Sequence, residues 1–138
     1  MLTVLLIFIF TCASLSQSLS YIYFLDENVG WVGDNGGDKD PKTYVTNNGG
    51  LTWDVEFNDV MGDINFVNDS IGFFSTYRKT FKTTNQGMSW NEVYSDSDRS
   101  FYYRSKFFDE NNGYLTRIVS QPLDYGTTLI KTTNGGAT

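Results

Sequence analysis

Tyr23-Phe24-Leu25-Asp26-Glu27-Asn28-Val29-Gly30-Trp31-Val32-Gly33 is written three times in this chain with different side chains. The second copy is Asn65-Phe66-Val67-Asn68-Asp69-Ser70-Ile71-Gly72-Phe73-Phe74-Ser75, and the third is Lys106-Phe107-Phe108-Asp109-Glu110-Asn111-Asn112-Gly113-Tyr114-Leu115-Thr116. In each, a Phe-bearing strand runs into an Asx-rich turn, then a glycine followed by an aromatic. The three glycines recur every ~40 residues, the size of one four-stranded propeller blade.

A second motif follows each copy of the first: Thr46-Asn47-Asn48-Gly49-Gly50-Leu51-Thr52-Trp53, Thr83-Thr84-Asn85-Gln86-Gly87-Met88-Ser89-Trp90, and Thr132-Thr133-Asn134-Gly135-Gly136-Ala137-Thr138. The pattern Thr-x-Asn-x-Gly-x-Thr/Ser-Trp is hairpin-turn chemistry. Asn accepts hydrogen bonds from nearby backbone amides, Gly takes a positive φ without a Cβ penalty, and Trp covers the hairpin. Composition agrees with strands rather than helices. Eleven Phe, nine Tyr and three Trp stand beside 13 Gly and only 2 Pro, a mixture of β-favouring aromatics and turn formers.

These residues resemble the Asp-box, or bacterial neuraminidase repeat, with Asn in place of the usual Asp. Phe-x-Asp-x-x-x-Gly-Trp combined with Lys-Thr-Thr-Asn-Gly-Gly-Ala-Thr is most similar to the photosystem II assembly/stability factor-like branch of those propellers. Related repeats occur in sialidases, xyloglucan-active glycosidases and sortilin ectodomains. The resemblance runs over residues 21–138 and implies an all-β propeller of four-stranded antiparallel blades. Three blades are expected, at 21–60, 61–100 and 101–138, the last lacking its fourth strand. Closure takes about four to eight blades, so the sequence reads as part of a longer propeller, with closure by oligomerisation as the alternative.

In that family the Asp-box joins the third and fourth strands on the face opposite the ligand. The resemblance therefore makes Thr46, Asn48, Gly50, Thr52, Trp53, Thr83, Asn85, Gly87, Ser89, Trp90, Thr132, Asn134, Gly136 and Thr138 structural. Phe24, Phe66, Phe107, Trp31, Phe73 and Tyr114 read as blade core. Binding is expected on the other face, in the loops between second and third strands and between blades. The residues there are Asp34, Asp38 and Asp40, then Tyr77 and Arg78, then Asp98, Arg99 and Tyr102.

Residues 1–20 read as a secretory signal peptide. Leu2 to Cys12 is an almost unbroken apolar run, too short for the ~20 residues that span a bilayer, and small residues follow that suit a cleavage site. An uncleaved anchor and a buried first strand are the alternatives. The expectation is a secreted chain with no stable membrane span after cleavage. Its only cysteine is Cys12, so no disulfide would staple the exported part.

Chemistry is bounded more sharply than it is identified. With no histidine, no Ser/His/Asp or Cys/His pair and no His-ligated zinc can be built from this chain. A net charge of -6 argues against nucleic acid, whose binders cluster Lys and Arg on phosphates. No cofactor is expected. The loop Asp34-Asn35-Gly36-Gly37-Asp38-Lys39-Asp40 carries oxygen donors that calcium could use, but it lacks the EF-hand spacing and terminal Glu, and reads as a solvated acidic loop. The function expected is a non-catalytic secreted binding or scaffolding module for a protein, cell-surface or glycan ligand. The alternative is the N-terminal part of a glycoside hydrolase of sialidase or xyloglucanase type, completed by blades outside this sequence.

Overall fold

The structure, a computed structural model, describes residues 19–34, 40–95, 100–121 and 124–137. Eleven strands lie among them in chain order: β1 (Leu19–Phe24), β2 (Gly30–Asp34), β3 (Lys42–Thr46), β4 (Asp54–Phe57), β5 (Met61–Phe66), β6 (Gly72–Thr76), β7 (Lys79–Thr83), β8 (Asn91–Ser95), β9 (Ser100–Phe107), β10 (Gly113–Gln121) and β11 (Asp124–Thr132). They form three antiparallel meanders, β1-β2-β3-β4, β5-β6-β7-β8 and β9-β10-β11. Neighbouring sheets meet chiefly through their first strands, β5 lying against β9 and β1 against β5. The first strands are therefore the inner ones.

The first motif has a simple physical content. Phe24 is the register partner of Gly30, Phe66 of Gly72 and Phe107 of Gly113. Each ring lies flat on its glycine. A Cβ there would come within 2.6 Å of the Phe24 ring, 2.8 Å of Phe66 or 2.5 Å of Phe107. Between Phe and Gly, an Asx side chain closes the turn: Asp26 Oδ1 accepts from the amides of Asn28 and Val29 at 2.7 and 2.8 Å. Asn68 and Asp109 repeat this two-amide arrangement at 2.8–2.9 Å.

The second motif is a second Asx knot on the same end of each sheet. Thr46 Oγ1 donates to Asn48 Oδ1 at 3.0 Å and accepts from the Gly50 amide at 2.9 Å, while Thr52 N donates back to Asn48 Oδ1 at 2.9 Å. Thr83, Asn85, Gly87 and Ser89 make the same set, and Thr132, Asn134 and Gly136 make its first half. Thr138 lies outside the described residues. The two turns of each sheet are tied by one backbone bond, from Gly49 to Asn28, from Gln86 to Ser70 and from Gly135 to Asn111.

Two apolar clusters join the sheets. Trp31, Val45, Met61, Ile64 and Phe74 are buried between the first and second, with Tyr21, Tyr23, Phe57, Phe66, Phe81 and Trp90 packed around them. Phe73, Phe107 and Leu115 fill the smaller junction between the second and third. Alternation along each strand gives each sheet a forward face, turned in the direction of the next sheet, and a back face turned the other way. Trp31 and Phe73 point forward; Phe66, Phe74 and Phe107 point back. Phe24, expected in the core, is instead 40 % exposed, because among the described residues no sheet lies on the back face of the first.

Asp26 and Asp109 have carboxyls held below the usual range, Asp26 by the amides of Val29 and Asn28, Asp109 by the Asn112 side chain and the amides of Asn111 and Asn112. A carboxyl whose pKa is lowered by folding adds stability above its unfolded value and loses it as pH falls through the folded one. The thermal midpoint should therefore fall as the pH drops from about 5 to about 3. Asn68 does the same turn work without a charge, so Asp26→Asn with Asp109→Asn should keep the fold and flatten this limb. Differential scanning calorimetry across that range checks it; an unchanged slope in the double variant would refute the assignment.

Candidate functional site

The end of the sheets opposite the Asx knots is where β1, β5 and β9 begin. Counting nine residues back from each repeat glycine reaches Tyr21, Asp63 and Arg104, one from each inner strand. The structure brings these three equivalent positions together. Tyr21 Oη donates to Asp63 Oδ1, Arg104 Nη1 donates to Tyr21 Oη at 3.1 Å, and the Ser105 amide donates to Asp63 Oδ2 at 3.2 Å. The Arg104 guanidinium lies 5.4 Å from the Tyr21 ring centroid, within cation–π range.

Electrostatics in the cluster follow from this wiring. Desolvation, then the hydrogen bond to the Asp63 carboxylate and its charge, push the Tyr21 phenol up to about 12, against a lowering pull from Arg104. Tyr21 therefore stays a proton donor over the whole physiological range. Asp63 spends both oxygens on the phenol and the β9 amide. The exposed Arg104 has four further N–H donors beyond the one given to Tyr21. The arrangement offers a fixed cationic fork beside an aromatic ring, suited to accepting carbonyl or carboxylate groups. The Tyr21 phenol is paired with the Asp63 carboxylate, but its raised pKa opposes ionisation.

The residues expected on this end are placed unevenly. Arg78 is exposed in the turn between β6 and β7, with Tyr77 half-buried beside it, and that turn is held by the Arg78 and Lys79 amides donating to Thr76 Oγ1 at 3.4 and 3.2 Å. Lys79 pairs with Glu92 at 2.6 Å on the flank of the sheet. Asp40 is exposed. Asp34 is not: it is fully buried at the end of β2, in register with Leu19 and Lys42. Asp38, Asp98 and Arg99 lie outside the described residues, as does the side chain of Tyr102, and so does most of the loop considered for calcium.

Sequence reasoning missed Tyr21, Asp63 and Arg104 as site residues. Their signal is positional, since all three sit at the same distance from the repeat glycine. The expected structural residues lie at the far end. Trp53 packs edge-on against Phe24 at 6.1 Å between centroids. Trp90 reaches across to Trp31 of the first sheet, at 6.0 Å, and lies 6.0 Å from Phe66 of its own sheet.

No known family profile and no curated protein matches the chain. Solved structures do. "YCF48 bound to D1 peptide" superposes with a TM-score of 0.63 at 17% identity, covering 88% of this chain and 39% of that one. "YCF48 from Cyanidioschyzon merolae" gives 0.56 at 18% identity, covering 86% and 38%. The chain thus spans less than two-fifths of the length of these β-propellers, and its all-β sheets form a partial propeller of the same kind.

Proposed function

We propose that the chain is a non-catalytic, exported binding module whose protein partner, an extended peptide segment, meets the propeller end where β1, β5 and β9 begin. The observation that carries this reading is the Tyr21–Asp63–Arg104 cluster, in which three successive sheets contribute one side chain each to a single hydrogen-bonded patch, Arg104 exposed and Tyr21 and Asp63 half-buried. The similarity to a peptide-bound YCF48 structure supports a peptide over a small molecule, as does the resemblance of the repeats to the photosystem II assembly-factor branch. Export is supported by the apolar run Leu2 to Cys12 with small residues after it. The Asp-box reading of the Thr-Asn-Gly knots assigns the opposite end to folding and leaves this end for ligands.

The test is a panel of labelled acidic, neutral and basic peptides titrated with the chain by fluorescence anisotropy. At least one class is expected to bind, and Arg104→Ala is expected to weaken it about fivefold to tenfold, the loss of one charge-assisted contact. Binding unaffected by Arg104→Ala would move the site elsewhere. If no peptide binds while fluorogenic glycosides are turned over, the glycoside hydrolase reading takes its place.

A further inference from the structure

Asparagine followed by glycine is the dipeptide whose backbone most readily turns on its own side chain, because the glycine has no Cβ to shield its nitrogen. Three such pairs lie among the described residues: Asn48-Gly49, Asn112-Gly113 and Asn134-Gly135. Two of them sit in the Thr-Asn-Gly knots, and there the nitrogen that would attack is the one that ties the two turns of its sheet. The Gly49 amide donates to the Asn28 carbonyl and the Gly135 amide to the Asn111 carbonyl, each at 2.8 Å. The carbon that would be attacked is held as well. Asn48 Oδ1 accepts from Thr46 Oγ1 and from the Thr52 amide, and Asn48 Nδ2 donates to Thr52 Oγ1 at 2.8 Å. Asn134 Oδ1 accepts from Thr132 Oγ1 at 3.0 Å. The middle knot has no glycine at this place: Gln86 follows Asn85, takes a positive φ of 62° itself, and its amide donates to the Ser70 carbonyl at 3.0 Å.

We propose that Asn48 and Asn134 are deamidation sites gated by their knots: a closed knot holds the reaction off, and opening commits the asparagine to aspartate or isoaspartate. In the open knot the glycine nitrogen loses its proton and bonds to the asparagine Cγ. The Cγ–Nδ2 bond breaks and the side-chain amide leaves as ammonia, carrying away a proton in place of the one the glycine nitrogen lost, so that a succinimide remains. Water then opens the ring. Attack at Cγ restores the normal backbone as aspartate, and attack at the asparagine main-chain carbonyl gives isoaspartate. Water is the only co-reactant.

The two products differ in what the knot can do with them. Aspartate keeps a carboxylate oxygen where Asn48 Oδ1 accepts. The other turn of each sheet shows Asp and Asn serving an Asx turn alike, with Asp26 and Asp109 where the second sheet has Asn68. Isoaspartate runs the main chain through Cγ, adding one methylene and leaving the free carboxylate on Cα. The chain then enters Gly49 out of step with the Asn28 carbonyl, and the acceptor for Thr46 and Thr52 is displaced. A knot converted to isoaspartate does not close again, so an opening that hydrogen bonds would reverse is fixed in a covalent bond.

The test incubates the full chain in mildly alkaline buffer, folded and in urea, and follows each asparagine by peptide mass spectrometry with isoaspartyl methyltransferase labelling. In urea Asn48 and Asn134 are expected to convert readily and Asn85, followed by Gln86, to lag. Folding is expected to slow Asn48 and Asn134 at least about tenfold, since two or more hydrogen bonds must break before the nitrogen can attack. Thr46→Val is expected to return Asn48 most of the way to its rate in urea while Asn134 keeps its protection, and Thr46→Ser is expected to restore the slow rate. Thr52→Ala, at an exposed position, removes only the acceptor of Asn48 Nδ2 and repeats the test should Thr46→Val fold poorly; circular dichroism confirms that the sheets of each variant are intact. Conversion of Asn48 as fast in the folded chain as in urea would overturn the gating. Equal acceleration of Asn48 and Asn134 by Thr46→Val would overturn it too, by showing that the whole chain opens rather than one knot.

Discussion

Gly87→Ala is expected to destabilise the chain by ~2–5 kcal/mol, the sum of a left-handed backbone cost of about 1–2 and an overpacking cost of about 1–3. Gly87 has φ of +83°, and its amide donates to Thr83 Oγ1 at 3.0 Å, so the conformation is fixed by the Asx knot. A Cβ would sit 2.4 Å from Trp31 Cζ2 and 2.8 Å from Cη2. Trp31 is fully buried and hemmed in by Phe66 and Trp90. It cannot yield without opening the junction between the first two sheets. Gly50 separates the two contributions: its φ is +84°, but a Cβ would lie 3.6 Å from Trp53, an ordinary contact. Gly50→Ala should therefore lose only the backbone share, and Gly126→Ala, with nothing within 4 Å, should be near neutral. Chemical denaturation followed by circular dichroism ranks the three; Gly87→Ala no worse than Gly50→Ala would contradict the close approach to Trp31.

Phe73→Ala is expected to cost a similar ~3–5 kcal/mol, but with a different signature. The Phe73 and Phe107 rings stack at 3.5 Å between centroids and 3° between planes, both essentially buried. They dominate a junction whose buried apolar core, among the described residues, is three residues, against five in the first. With Phe73 gone, the amide caps from Asp63 and Asn65 to β9 remain, as does Lys82 Nζ donating to the Glu110 carbonyl at 3.0 Å, yet little apolar contact is left to exclude water from them. Hydrogen exchange should rise across β9, β10 and β11 while the first sheet keeps its protection, since sheets of this architecture are held by neighbours alone. Uniform acceleration through all three sheets would show instead that they unfold as one unit.

The sheets were legible because the physics that shapes them repeats. Phe lies on Gly across the first hairpin, Asx closes two turns, and the spacing of these residues bounds the strands to within a few positions. The cluster at the other end was not legible for the opposite reason. Tyr21, Asp63 and Arg104 are equivalent in place and unlike in chemistry, so aligning the repeats by identity passes over them, and only the stagger of three inner strands brings them within hydrogen-bonding distance. Burial of Asp34 has a related cause. The motif reads as the start of an acidic loop, whereas the ladder of β2 against β1 and β3 runs on to include that residue.

The caps that Asp63 and Asn65 give to β9 also bear on how such an array can grow. A duplicated second repeat would carry with it both the acceptors its successor needs and the Phe66 amide that Tyr23 of its predecessor satisfies, so tandem copying of that segment could lengthen the chain with a working seam at each new joint.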